Sequence, residues 1–247
     1  MKIVAISDSH TMLSKPQDGV PIVVPDGDVL IHAGDLTFTG VLKEVRAELK
    51  AISALPHRRK IVVPGNHDFF FDERFKDGHI FRSWRIDRPI SVQELLAEFP
   101  DIDVLIDRST MVGKYKVHGS PWQPAFGDWA FQFSDSEKGR QEAKMRWATI
   151  PLDTNILVTH TPPWGILDIV DFEHRHQGDN RAGDYLLRTR IEDLKQLRLH
   201  VFGHLHAGYG NIDLPLDGHG GEPTTFVNAA LNTNSYVPLN KPIVIDL

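Results

Sequence analysis

The chain alternates short apolar runs with polar turns. Met1 to Ser7 is continuous, rich in β-branched residues and followed at once by Asp8-Ser9-His10, which predicts a buried strand ending in a polar turn. Asp28 to Ala33 predicts a second strand running into Gly34-Asp35, and Ile61 to Val63 a third running into Pro64-Gly65-Asn66-His67-Asp68. Between them Val41, Leu42, Val45, Leu49 and Ile52 recur at helical spacing, with Lys43, Glu44, Arg46 and Glu48 opposite and Thr39 placed to cap. The Pro-, Gly- and Asp-rich stretch from Thr11 to Gly27 reads as a loop.

Farther along, Ser91-Val92-Gln93-Glu94 has capping-box spacing before Leu95, Leu96 and Phe99. Ser136 can cap a helix carrying Met145 and Trp147, and Leu186, Leu187, Ile191 and Leu194 mark another helix. Short strands are expected at 104–106, within 111–117, and at 156–158, 199–202, 226–228 and 243–245, whereas His118 to Trp122 reads as a loop. Strands alternating with helices predict parallel βαβ units, whose ligand sites lie beyond the carboxyl ends of the strands. With no linker, low-complexity segment or fixed-period repeat, one domain over residues 1–247 is expected.

Composition narrows this picture. A chain of 247 residues that is 41% apolar can bury a sizeable core. The absence of cysteine removes disulfides and thiolate ligands and fits a reducing compartment. The first strand begins at the N-terminus, leaving no room for a cleavable signal, and no apolar run nears the ~20 residues that span a bilayer. A soluble cytoplasmic protein is expected. The net charge of −6, with Arg58-Arg59-Lys60 as the only tight basic cluster and read as a solvated strand start, argues against a long nucleic acid as partner. The sequence holds no readable sign of an oligomeric state.

The strand ends carry the chemistry. Side chains two apart on an extended segment share a face, so Asp8 and His10 can reach one point, and their oxygen and nitrogen donors suit a divalent transition metal. Taken singly, Asp8, Asp35 and Asn66 fit turn caps equally well, and His160 fits a packed core position. Taken in order, five apolar runs end in Asp-x-His, Gly-Asp, Gly-Asn-His-Asp, Thr159-His160 and Gly203-His204-Leu205-His206, and the joint pattern selects the metal reading. His32 and His200 read as packed residues, His118 as a lesser candidate for approaching the site, and His174 and His176, with Asp168, Asp171 and Asp179, as a solvated loop. Phe69, Phe70 and Phe71 read as core, while Trp122 and Trp164 are divided between core packing and stacking on a substrate.

These motifs, in this order, resemble the calcineurin-like metallophosphoesterases. Ser120 to Pro124, His160 to Asp168, His200 to His204 and the ending Lys241 to Leu247 resemble the metallophosphoesterase-domain-containing branch of that family. Some members of the branch lack the first histidine of Gly-His-x-His; here it is present as His204. The resemblance implies a four-layer α/β/β/α sandwich, two mixed β-sheets flanked by helices, and a centre of two divalent metal ions drawn from Mn, Fe, Zn or Co. It implies that Asp8, His10 and His206 hold one ion, that Asn66, His160 and His204 hold the other, and that Asp35 bridges them. Two ions roughly 3.5–4 Å apart would clamp an in-line attack on phosphorus by a bridging hydroxide. His67 would face the substrate and stabilise the developing charge or protonate the leaving oxygen, with Asp68 behind it to fix its tautomer and raise its pKa. The implied reaction is hydrolysis of a small phosphodiester, a cyclic nucleotide among the possibilities, with a phosphomonoester as the alternative. A silent scaffold of the same fold is the rival reading, and the seven competent ligand positions speak against it.

Overall fold

The computed structural model describes residues 1–77, 79–81, 84–85, 88–170, 180–216 and 222–247, with 79–81 and 84–85 described as backbone. Two large sheets face each other. The first contains β1 (Lys2–Ile6), β2 (Val29–His32), β3 (Arg59–Val62) and β6 (Ile102–Val104) side by side and parallel, with β15 (Ile243–Asp246) antiparallel on the outer edge of β1. A two-stranded ribbon, β4 (His79–Phe81) and β5 (Trp84–Arg85), lies outside it. The second sheet is built on four parallel strands: β14 (Thr224–Asn228), β12 (Leu199–Phe202), β11 (Ile156–Thr159) and β8 (Tyr115–Ser120). It is edged by antiparallel β13 (Gly210–Leu214) and β7 (Arg108–Val112). β9 (Gln123–Pro124) and β10 (Gln132–Phe133) pair separately.

The period of two along each strand sorts its residues into layers. Ile3, Ala5, Ile31 and Ile61 of the first sheet meet Val117, Val158, Val201 and Val227 of the second in a dry inter-sheet core. The alternate residues, including Val4, Leu30 and Val62, join an outer cluster with Val45, Leu49 and Ile52 of α1 (Leu42–Ser53). On the second sheet Leu157, Phe202 and Phe226 join Trp147 of α3 (Glu137–Ala148) and Leu187 and Ile191 of α4 (Tyr185–Asp193) in that outer cluster. This is the four-layer α/β/β/α sandwich.

The caps mostly match expectation. Ser91 and Glu94 form a capping box on α2 (Val92–Ala97), and Ser136 accepts from the Gly139 amide at the start of α3. Thr39 does not cap α1. Val41 occupies that position, and the Glu44 carboxylate reaches back to the Thr39 amide at 2.9 Å, satisfying the loop before the helix. Two other expectations are corrected. His118 to Ser120 continue β8, because they pair in register with β11 from Leu157 to Thr159. Gly119 there faces Leu105 and Val63 so closely that a Cβ would lie 2.4 Å and 2.7 Å from their side chains, so the residue that reads as a loop signal is a sheet-packing one. Lys60 is buried and pairs with Asp101 at 3.0 Å, so that end of the basic cluster is not solvated. Among the described residues no helix is long and apolar enough to cross a membrane.

Candidate metal centre

All the parallel strands of both sheets end on the same side, and a parallel bridge between Ser7 and Ala230 ties the exit of β1 to the exit of β14. Asp8 and His10 follow β1, Asp35 follows β2, and Asn66 and His67 follow β3. His160 follows β11, and His204 and His206 follow β12. The turns that aim them are tight. Asp8, His10, Asp35 and His204 have positive φ, at 54°, 43°, 54° and 66°, a region side-chain-bearing residues enter at a cost of about 1–3 kcal/mol and keep at functional sites. Two flanking glycines allow the close approach. A Cβ on Gly65 would lie 2.2 Å from an Asp35 carboxylate oxygen, and one on Gly203 would lie 2.1 Å from Asp8.

The donors converge in three overlapping groups: Asp8, His10 and His206; His10, Asp35 and His67; and Asp35, His160 and His204. Within each group the ligand atoms lie within 4.8 Å of one another, and Asp35 belongs to two groups. His206 Nε2 is 3.3 Å from Asp8, and His160 Nε2 is 3.3 Å from Asp35 and 3.0 Å from the Asn66 side-chain oxygen. The His204 amide donates to both Asp8 oxygens, at 3.0 Å and 3.2 Å.

Main-chain carbonyls orient the imidazoles. His10 Nδ1 meets the Thr37 carbonyl at 3.2 Å, His160 Nδ1 meets Ala33 at 2.9 Å, and His206 Nδ1 meets Thr233 at 3.0 Å. Each Nδ1 hydrogen is held by a carbonyl, which turns Nε2 toward the centre. His10 Nε2 is buried with no hydrogen-bond partner, a deficit of about 1–3 kcal/mol that a cation would relieve. Carboxylate, imidazole and amide donors without thiolate fit a divalent ion such as Mn, Fe, Zn or Co.

Protonation states follow from burial and from the pairs. Burial holds His10 down at about 4 and His204 at about 3, so both are neutral donors. Burial alone would raise the Asp8 and Asp35 carboxyls, but His206 beside Asp8 and His160 beside Asp35 hold both below the usual range. The same pairing outweighs burial at His160, which is pushed up to about 9.

His67 and Asp68 part company. His67 Nδ1 donates to the Phe38 carbonyl at 2.7 Å, and its amide donates to Asp35 at 2.8 Å. The expected role of Asp68 as the group fixing His67 is therefore corrected. The wholly buried Asp68 carboxylate accepts from the Leu36, Thr37 and Gly65 amides and the Thr37 hydroxyl, at 2.8–3.1 Å. It clips the Gly-Asp turn to the Gly-Asn turn.

The other singled-out residues lie elsewhere. His118 pairs with Ser109 at 2.9 Å and His200 with Thr159 at 2.8 Å, both within the second sheet. His32 packs beneath Ser9 at 2.9 Å. Phe69, Phe70 and Phe71 are core. Trp122, 4% exposed, stacks on Phe133 and lies under the Arg74 and Arg146 guanidiniums, its N–H on Asp107, which settles it as a packing residue. Trp164 is half-buried, its amide on the Asp184 carbonyl. Asp168 is buried and accepts from the Gly165 and Gly183 amides at 2.8 Å and 3.2 Å. Asp171, His174, His176 and Asp179 lie outside the described residues. Phe38, Phe126, Trp129 and Tyr236 stand beside the centre without having been singled out in sequence. Each is an isolated aromatic on a loop, with no periodicity to mark it.

A family model of calcineurin-like phosphoesterases matches residues 1–208. The human and mouse proteins named metallophosphoesterase domain-containing protein 1 are each 37% identical to the chain over 252 residues, covering all of it and 71% of their own length. Among solved structures, the phosphopantetheinyl hydrolase of Mycobacterium tuberculosis aligns with a TM-score of 0.53 at 14% identity, over 98% of this chain and 95% of that one. Another aligns at 0.57 and 17% identity, over 92% and 89%. At such identities the likeness is one of fold.

Proposed function

The chain belongs to the calcineurin-like phosphoesterases, and from that premise we propose that it hydrolyses a small phosphodiester at a centre holding two divalent cations. The observation that carries this reading is the convergence of Asp8, His10, Asp35, Asn66, His160, His204 and His206 from five strand ends, with His10 Nε2 buried and unpartnered among them. Asp8, His10 and His206 would hold one cation, Asn66, His160 and His204 the other, with Asp35 shared. When bound, the pair would supply Lewis acidity to the phosphoryl oxygens and ionise a water near neutral pH.

The remaining work falls to the chain. The burial of Asp8, His10, Asp35, Asn66 and His160 and the carbonyl-held rings of His10, His160 and His206 keep the donors from reorganising as charge develops. His67, its Nδ1 hydrogen fixed on Phe38, keeps Nε2 free to hold a proton for the leaving oxygen. Cyclic nucleotides fall within the proposed substrate class, as the resemblance to the metallophosphoesterase-domain-containing branch implies.

The test is a panel of cyclic nucleotides, aryl phosphodiesters and phosphomonoesters with Mn²⁺ supplied, on wild type and His67→Ala. Diesters should be turned over fastest. His67→Ala should keep its metal content and lose ~10²–10⁴-fold in kcat. Preference for monoesters would make the protein a phosphatase, and loss of metal in His67→Ala would move His67 into the ligand set.

A further inference from the structure

Among the described residues, Phe38, Tyr236, Trp129 and Phe126 place aromatic rings around the centre, and none belongs to the proposed ligand set. On one side Phe38 and Tyr236 lie 4.8 Å and 5.0 Å from the His10 ring, and against each other at 5.5 Å. On the other side Trp129 lies 4.3 Å from His67, and Phe126 lies 5.1 Å from His204. Phe126 and Trp129 are 6.3 Å apart with their planes only 24° from parallel, so they form one apolar wall running from His67 to His204.

This wall is anchored at its base and open at its top. Trp129 rests on the core residue Phe69 at 5.9 Å. The next residue, Ala130, donates its amide to the carbonyl of Asn66 at 3.1 Å, so the wall is tied to the turn that carries a ligand. Phe126 is 56% exposed. A phenyl ring left in water contributes little to the fold, but one held at a fixed distance from a polar centre gains when a planar ligand covers it. The wall also borders His67, the group placed to serve the leaving oxygen.

We propose that Phe126 and Trp129 form a stacking subsite for a planar aromatic group carried by the phosphoester, a nucleobase or aryl ring, on the His67–His204 side of the centre. This rests on the reading of the centre as a phosphoester site. It transfers to Phe126 and Trp129 the stacking role that Trp122, buried beneath the Arg74 and Arg146 guanidiniums and against Phe133, does not fill.

The test is calorimetric titration of the full chain, incubated with Mn²⁺, with phenyl phosphate and with methyl phosphate. The wild type should bind phenyl phosphate about tenfold more tightly. Phe126 is exposed, so Phe126→Ala should fold, and it should bring the ratio close to one, whereas Phe126→Tyr should preserve it. Equal binding of the two esters by the wild type, or an unchanged ratio in Phe126→Ala, overturns the subsite while leaving the phosphoester reading standing. Binding of neither ester by the wild type overturns the subsite, and the diester reading is then decided by the turnover panel alone.

Discussion

At the residue scale, the centre is held by main-chain groups as much as by side chains. The carbonyls of Ala33, Thr37, Phe38 and Thr233 set the tautomers of His160, His10, His67 and His206. Asp68 serves the backbone, not His67, and this is testable. Asp68→Ala strands the buried Leu36, Thr37 and Gly65 amides and should lower unfolding stability by about 3 kcal/mol or more in urea titrations. Lost turnover at unchanged stability would return Asp68 to its expected role behind His67. A second buried carboxyl, Glu48, accepts from the Ser14 amide at 2.8 Å and the Ser9 hydroxyl at 3.2 Å, and burial pushes it up to about 7 from 4.5. Between those values the folded chain keeps a proton that the unfolded chain has released. The stability this group supplies is therefore full below the ordinary value and is lost as pH rises through about 7. Glu48→Gln should stabilise the protein near pH 8 by up to about 3 kcal/mol and far less near pH 4. An equal effect at both pH values would show that folding leaves the Glu48 carboxyl at its ordinary value.

At the scale of elements, the strand end is the unit that builds the site. Each apolar run fixes where its strand stops, and the residues just beyond are delivered to one edge. That is why the proposed ligands are legible in the sequence: Asp8, Asp35, Asn66, His160 and His204 each stand one or two residues, or a short turn, past a continuous apolar run. The glycines beside them have a steric reason, since Gly65 and Gly203 press against Asp35 and Asp8. Gly203→Ala should weaken metal uptake at least about tenfold, read by titration, while far-UV dichroism stays native; unaltered uptake would mean that the turn has room for a methyl group. What the chain concealed is what only pairing reveals. His118 to Ser120 carry loop-forming residues, yet alignment with β11 extends β8 through them. Carbonyl partners such as Thr233 leave no side-chain signature. The wall of Phe126 and Trp129 comes from a short loop whose position depends on the Ala130 bond to Asn66.

At the scale of the molecule, the centre straddles both halves of the sandwich. Asp8, His10, Asp35 and Asn66 project from the first sheet, and His160, His204 and His206 from the second. Cations bound there would join the two sheets at their strand ends and bind only the folded chain, so Mn²⁺ should raise the melting temperature and a chelator should lower it. A melting temperature indifferent to both would separate the centre from the fold. Whether Asp35 is shared between two cations is decided by metal content per chain in wild type and Asp35→Asn after equilibration with Mn²⁺. About two ions are expected per wild-type chain, with loss of both together in Asp35→Asn. A single ion in the wild type, or the loss of only one in the variant, would contradict it.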